Sequence, residues 1–550
     1  MKLKIKWTLG LLSVLSFGLC FGQFAQKDAI SKSDSLFNVY QKADSPGMAL
    51  AIIKDGKVVY KKTYGLANLE NKTAITDSTA FNIASVSKQF TAFMGLLAEQ
   101  EGKISLEDDI TKYLPELRNL PYKITIRQLA NHTHGLPNFS EIKKLQGFGD
   151  EFKVSNKEAV QTLLGIKSIN FVPGEQYEYN NTGFTLLAEI LRRVYKKEFS
   201  QIAKEYIFNP LKMKNTLAVD DPAVIIPNKA ESYQPKGNDF AKLPIGQMVS
   251  GSSNIYATLN DLCKWAINFQ NPVLGNRAIY NAMQKNTVLN SGKNIEYGLG
   301  LQTEKYKGLD IVFHGGGTVG YRTYILHIPS QQFSIVILGN EQGFDGYLIA
   351  YQLVDFFFKD KQSTVGKPQK AIDSPSELKQ FEGVYKLNPG NYLEISAKGN
   401  DIYLGTYNNQ GKEKLVPRGN HQFKISSIPT ARLTFSDDSF NFRIADFTYT
   451  AKKTILNPPK ADKVFLNKLV GFYRNEEFNT IYQLLIENNK LIARHPLNGD
   501  IELFPLKPGS FYSTTEYFGQ LDFKYDQNKE ISEFILSGAN LLNIVFKRIK

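Results

Sequence analysis

"FNIASVSKQF", residues 81–90, sets Ser85 three positions ahead of Lys88 where an apolar, helix-patterned run begins. On one helix that spacing puts both side chains on the same face, about one turn apart. A serine hydroxyl attacks a carbonyl only when a base takes its proton, donors hold the oxyanion and an acid serves the leaving atom. A lysine near a helix start suits the first task, because burial and the positive end of the helix both lower its pKa. Behind Ser85 runs "KQFTAFMGLLAEQEGK", apolar at helical spacing and stopping at Gly102; ahead of it lie the apolar Ile83 and Ala84. The same pattern recurs at Ser140/Lys143, in the charged stretch "NFSEIKKLQ", and at Ser376/Lys379, beside a polar linker. Ser85/Lys88 leads on context, although a lone Ser-x-x-Lys is more often structural than catalytic.

Two further stretches carry chemistry. "FVPGEQYEYNNTGF" (171–184) puts Tyr179 and Asn181 just after Pro173-Gly174 and just before an amphipathic helix. "FHGGGTVGYRTYIL" (313–326) puts His314, Gly315 and Gly316 on or beside a strand. Each has a plain structural alternative. Tyr179 could be a core aromatic, Asn181 a helix cap, His314 a satisfied strand histidine and the three glycines a turn. Tyr-x-Asn also occurs at Tyr407/Asn409, in the C-terminal part of the chain, whereas His-x-Gly occurs once.

Taken together and in this order, the three motifs resemble the serine β-lactamase and penicillin-binding protein superfamily. The resemblance is strongest to the branch of class C β-lactamases, D,D-carboxypeptidases, esterases and D-aminopeptidases. "TIRQLANHTHGLP" (125–137) and "SGSSNIYATLNDLCKWAINF" (250–269) are similar to stretches of the same family, and the likeness covers roughly residues 30–358. It implies an acyl-enzyme mechanism with Ser85 as nucleophile, Lys88 as the group that eases loss of its proton, and Tyr179 as the proton shuttle. Asn181 would bind the substrate amide and orient Lys88. His314 and Gly316 would line the strand against which substrate lies, and the N–H groups of Ser85 and Gly317 would form the oxyanion hole. His132 and His134, in "HTHGLP", are expected to belong to a structural loop.

One departure matters. β-Lactamases of this branch usually carry Lys-Thr-Gly or Lys-Ser-Gly where this chain has His314-Gly315-Gly316. A neutral histidine cannot pair with a substrate carboxylate as a fixed cation does, which argues against efficient penicillin hydrolysis. His-x-Gly and the overall layout resemble the D-aminopeptidases. The expected activity is therefore cleavage of amides or esters, with peptides containing D-amino acids as the leading substrates and no metal or organic cofactor. An esterase and a weak β-lactamase are the rivals within the enzyme class. Outside it stand a penicillin- or peptidoglycan-binding protein without turnover, and a chain whose C-terminal modules carry the function.

The rest of the chain sets these motifs in context. The N-terminus, "MKLKIKWTLGLLSVLSFGLCFGQ", has a basic start, an apolar run too short to span a bilayer and a small residue at its end. It reads as a secretory signal peptide over 1–22, cleaved near Gly22, and implies a secreted or periplasmic protein. Cys263 is then the single cysteine left, which excludes an intramolecular disulfide and a cysteine-rich zinc site and reads as a packing residue. The net charge of +13 can attract anionic envelope polymers, and no nucleic-acid motif is present.

Residues 23–358 mix helical and strand patterns and are expected to form an α/β (α+β) β-lactamase-like domain with an antiparallel sheet flanked by helices. "MALAIIKDGKVVYKKTYG" (48–65) reads as a hairpin turning at Asp55-Gly56. "DIVFHGGGTVGYRTYILHIPSQQFSIVILGN" (310–340) reads as a strand, a glycine-rich turn and two more strands. Residues 359–376 read as a linker. Beyond it, short alternating runs separated by Gly-Asn and Asn-Asn turns read as all-β. "FEGVY" (381–385) is answered by "LVGFY" (469–473), and "LTF" (433–435) by "LDF" (521–523), each 88 residues on. Two copies of one small lipocalin-like barrel are expected, over 377–457 and 463–550, with a barrel loop shaping the active-site rim.

Overall fold

The computed structural model describes residues 29–35, 37, 44–149, 152, 154–221, 223–246, 249–359, 375–407, 411–419, 421–426, 431–444, 447–459 and 462–549. The signal-peptide reading, and the linker reading over 360–374, lie outside the described residues.

The first part of the chain folds around a six-stranded antiparallel sheet. Its strands are β1 (Met48–Lys54), β2 (Lys57–Tyr64), β3 (Gln302–Tyr306), β4 (Leu309–Thr318), β5 (Tyr321–Ile328) and β6 (Phe333–Gly339). They lie in the order β3-β4-β5-β6-β1-β2, so the two ends of this part of the chain meet where β1 pairs with β6, Met48 opposite Gly339. The β1–β2 hairpin turns at Asp55 and Gly56, both with positive φ. β1 is buried along almost its whole length because both faces of the sheet are covered. Ala49, Ala51 and Ile53 enter one core, and Met48, Leu50 and Ile52 enter the other. That alternation is the strand period of two, and burial on both faces explains the unbroken apolar run.

Four helices flank the sheet: α1 (Ser87–Gln100), α2 (Thr182–Tyr195), α3 (Leu259–Gln270) and α4 (Gly346–Phe357). α4 covers one face with Ile349, Ala350, Leu353 and Val354. α1, α2 and α3 build the other core, where Trp265 of α3 stacks on Phe90 of α1 at 4.3 Å. Cys263 is a buried free thiol on α3, as expected of a packing residue. Among the described residues no helix is long and apolar enough to cross a membrane.

The glycine-rich stretch is not a turn. β4 runs through Gly315, Gly316 and Gly317 to Thr318, paired with β5, and the chain reverses at Val319-Gly320. The glycines mark a close approach instead: a Cβ on Gly316 would overlap the Ile83 carbonyl and crowd the Ser85 nitrogen.

Two closed barrels, each of eight strands among the described residues, follow. The first runs from Gly383–Asn388 to Phe447–Thr454 and the second from Gly471–Asn475 to Leu541–Ile549. The sequence repeat is structural: Tyr385 Oη donates to the Phe381 carbonyl, and Tyr473 Oη, 88 positions on, donates to Leu469, both at 2.9 Å. The first barrel is filled by its own core, including Phe423, Phe435 and Phe440. The core of the second barrel is continuous with that of the first part of the chain, Tyr482, Phe518 and Phe546 sharing a cluster with Leu129 and Phe184.

Candidate active site

Ser85 occupies a single 3-10 turn, Ala84–Val86, that leads into α1. The turn begins at Ala84, whose φ of 46° is unusual for a residue with a side chain and costs on the order of 1–2 kcal/mol. It is held there by the Ala84 N–H donating to Asn82 Oδ1 at 2.8 Å and by complete burial. Backbone strain therefore sits directly before the candidate nucleophile, which is itself half-buried while its neighbours are buried.

Lys88, one turn along, has no solvent contact. Its Nζ lies 3.1 Å from Ser85 Oγ, 2.9 Å from Asn181 Oδ1 and 2.9 Å from the Ser252 carbonyl oxygen. It stands 4.9 Å above the centre of the Tyr179 ring. No carboxylate is among these partners, and burial drives the Lys88 pKa well below the ordinary ammonium value. A neutral amine has two N–H donors and one lone pair. Asn181 Oδ1 and the Ser252 carbonyl can only accept, so they take the two N–H groups. The lone pair is left facing Ser85, whose hydroxyl can donate to it.

Asn181 is the N-cap of α2, yet its side chain makes no capping bond. It is turned to Lys88 instead, which distinguishes the two readings its position allowed. α2 can approach closely here because Gly183 lies against the Leu129 carbonyl and the His134 ring, where any Cβ would clash. Ser85, Asn181, Ser252 and Gly317 line one small cavity together with Phe139 and Thr318.

Tyr179 and Asn181 also line a larger cavity of about 710 Å³. Its far wall comes from both barrels: Asn388, Arg443 and Tyr449 of the first, and Asn540 of the second. Arg443 reaches across to Glu304 of β3 at 2.7 Å. Burial pushes the Glu304 carboxyl up, and the Arg443 guanidinium opposes that shift. Glu178, which lines the same cavity, is raised to about 7 by burial, against one hydrogen bond from Asn170 Nδ2.

His314 is placed differently from a side chain that touches substrate. It is fully buried, lines neither cavity, and is turned inward toward Tyr297. Burial, the first cause, holds it neutral with a pKa lowered to about 3, and a proton on Lys88 would push in the same direction. Gly316 contributes its lack of a side chain, and Gly317 is exposed beside Ser85. His134 is a turn residue, its Nδ1 accepting from the Leu136 N–H. His132, expected to be structural, packs its ring 4.3 Å from that of Tyr179. The other Ser-x-x-Lys pairs lie elsewhere: Ser140 and Lys143 on the helix Phe139–Leu145, and Ser376 and Lys379 on the helix Pro375–Lys379 that leads into the first barrel. Sequence reasoning did not single out Ser252, Tyr297, Arg443 or Glu304; Ser252 lies in a stretch it quoted, and the other three carry no local signal.

Among the described residues, no group of three or more histidine, cysteine or carboxylate side chains is placed to hold a metal ion.

A family model described as Beta-lactamase matches residues 33–354. A D-aminopeptidase of Gluconobacter oxydans is 29% identical over 302 residues, which cover 54% of this chain and 56% of that one. A D-aminopeptidase of Brucella melitensis biotype 2 is 27% identical over 480 residues, covering 85% and 86%. In the Gluconobacter match the chain thus spans little more than half the relative's length. Among solved structures, the octameric penicillin-binding protein homologue from Pyrococcus abyssi superposes with a TM-score of 0.57 at 22% identity, over 77% of this chain and all of that one. FmtA from Staphylococcus aureus superposes with a TM-score of 0.51 at 21% identity, over 61% and 88%. Identities this low establish a shared fold.

Proposed function

The chain belongs to the beta-lactamase family, and we propose that it is a secreted serine hydrolase that cleaves amide bonds in short peptides containing D-amino acids. One observation carries this reading: the buried Lys88 amine has two acceptor-only partners, and its remaining direction faces the Ser85 hydroxyl at 3.1 Å.

In this mechanism Lys88 takes the Ser85 proton as Oγ attacks the substrate carbonyl. The N–H groups of Ser85 and Gly317 stabilise the oxyanion. Tyr179, whose ring lies under Lys88 Nζ, passes the proton to the leaving amine, and in the second half-reaction it helps water attack the acyl-enzyme. Asn181 holds Lys88 and the substrate amide. The D-aminopeptidases among its relatives support the choice of substrate, and the basic, apolar N-terminus supports export. The buried, neutral His314 supports weak β-lactam hydrolysis at most, because no fixed cation stands at that position for a substrate carboxylate.

The test is a side-by-side screen of D- and L-amino acid amides, a short-chain ester and nitrocefin, with Ser85→Ala as control. The reading requires D-amide turnover to lead and to vanish in Ser85→Ala. Leading ester turnover would favour an esterase. Stoichiometric labelling by a fluorescent penicillin without turnover of any substrate would make the protein a binding protein.

A further inference from the structure

Packed around Tyr179 lies a line of titratable side chains that the mechanism above does not use. His132, Tyr297 and His314 are exposed by 0%, 1% and 0% respectively. His132 Nε2 is 3.1 Å from Tyr297 Oη, Tyr297 Oη is 3.3 Å from His314 Nε2, and His314 Nδ1 is 2.6 Å from the Gly315 carbonyl oxygen.

The two ends dictate which way every proton points. The Asn180 backbone N–H donates to His132 Nδ1 at 3.4 Å, so that nitrogen is an acceptor and the imidazole proton sits on Nε2. His132 therefore donates to Tyr297. At the other end the Gly315 carbonyl can only accept, so His314 carries its proton on Nδ1 and its Nε2 accepts from the Tyr297 hydroxyl. This one arrangement satisfies every polar atom of the line, and it requires both histidines to be neutral. A proton added to His314 Nε2 would leave Tyr297 facing two donors. The titratable groups acting on the line from the elements around it are Lys88, His134, Tyr177 and Tyr179. All are cationic or neutral at neutral pH, so no carboxylate among them favours a charged histidine.

The line ends on the backbone that matters most to the site. Gly315 precedes Gly316, which is wedged against Ile83 and Ser85, and Gly317, which shares a cavity with Ser85. The three rings also wall in Tyr179, at centroid distances of 4.3 Å (His132), 6.2 Å (Tyr297) and 6.0 Å (His314).

We propose that His132, Tyr297 and His314 form a one-directional positioning relay, which pins the Gly315 carbonyl and so holds the Gly316–Gly317 backbone and the Tyr179 ring in register with Ser85. His314 then acts through the strand, not by touching substrate. The proposal rests on the serine hydrolase reading for its catalytic meaning, but its geometry can be tested without any substrate.

The first measurement uses the unliganded full chain labelled with 15N-histidine. Long-range 1H–15N spectra, with resonances assigned from His132→Asn and His314→Asn, report which nitrogen carries each proton. The relay requires His132 protonated at Nε2 and His314 at Nδ1, both unchanged from pH 5 to 8. The reverse tautomer, or a rapidly exchanging mixture at His314, overturns it. The second uses Tyr297→Phe, which keeps the ring and removes the hydroxyl. Misplacement of the reacting groups should lower kcat ten- to a hundredfold with KM within about threefold, and the His314 tautomer should cease to be unique. Wild-type kcat in a folded Tyr297→Phe protein overturns the proposal; if that variant does not fold, the wild-type spectra decide alone. Ser85→Ala keeps the two readings apart. It should retain both tautomers while losing turnover, and residual turnover there would overturn the serine mechanism without touching the relay.

Discussion

The phenol of Tyr482, on the second barrel, donates to the carbonyl of Leu145, the last residue of the catalytic-part helix Phe139–Leu145, at 3.0 Å. Thr480 Oγ1 reaches the same carbonyl at 3.3 Å, and Asn498 Nδ2 reaches that of Lys144 at 2.8 Å. The final carbonyls of a helix have no donor within it, so the barrel acts as its C-terminal cap. At the other end, the Asn138 N–H donates to the Asn540 carbonyl of the same barrel. Phe139, the first residue of this helix, lines the Ser85 cavity. The second barrel thus holds one wall of the site as well as sharing its core with the catalytic part.

Tyr482→Phe should therefore destabilise the whole protein. It leaves the aromatic packing but removes a buried donor, and also the acceptor used by Asn498 at 2.8 Å. Urea unfolding should show a loss of about 1–3 kcal/mol in the transition that reports on the catalytic part. An unchanged midpoint would mean that the barrel is only tethered. Removing residues after 458 should go further and lower kcat/KM as well as stability.

The Arg443–Glu304 pair predicts a non-additive double-variant cycle. Glu304 is 11% exposed and Arg443 29%, so removing the guanidinium strands a buried carboxyl. Arg443→Ala should cost about 3 kcal/mol, whereas Arg443→Met combined with Glu304→Leu should recover most of that loss. Equal losses in the single and double variants would show that the pair does not hold the first barrel to the sheet.

Asn181→Asp tests how Lys88 is kept neutral. It would set an anion about 3 Å from Nζ, at the place now taken by the amide oxygen at 2.9 Å. An adjacent negative charge favours the ammonium form, so the Lys88 pKa should rise. The acid limb of the kcat/KM profile should move to higher pH, with a loss of at least about tenfold at pH 7 that is partly regained at pH 9. A uniform loss at all pH values would show that Asn181 serves binding alone.

Stability should fall steeply in acid. His134, His314 and His327 have pKa values lowered to about 3, and that of His132 is well below normal, burial being the first cause in each. A group with a depressed folded pKa adds stability above its unfolded value, here near 6.5, and loses it as pH falls toward the folded value. Glu178 acts in the opposite sense. Its carboxyl is raised to about 7 from 4.5, so its contribution is full below pH 4.5 and is lost as pH rises to 7. Glu178→Gln should therefore be more stable than wild type at pH 8, by up to about 3 kcal/mol, and gain nothing at pH 4. Equal gains at both pH values would contradict a raised Glu178.

The helices and the hairpin were legible because their apolar residues keep one period over many positions, as β1 does from Met48 to Ile53. The barrel repeat was legible because Tyr385 and Tyr473 stand at equivalent places in two copies. Ser85 and Lys88 could be paired because their spacing sets both on one face of a helix start, whereas Asn181 was joined to them only by the resemblance of the three motifs to the family. The triple glycine misled because glycine permits a turn equally well, and only the approach of β4 to Ile83 shows why it stays extended. Arg443 and Tyr297 escaped notice because their partners, Glu304 and His314, lie on other elements, and nothing local marks a contact made by tertiary packing.

The central claim is that Ser85 becomes covalently acylated with Lys88 acting as the neutral base. The most direct measurement is mass spectrometry of acid-quenched enzyme during turnover of a D-amino acid ester, with peptide mapping across residues 62–103 at pH 6 and pH 9. The account predicts an acyl adduct on Ser85 in the wild type and none in Lys88→Arg, where the side chain keeps its charge. An adduct on any other residue, or undiminished Ser85 acylation in Lys88→Arg, would contradict it.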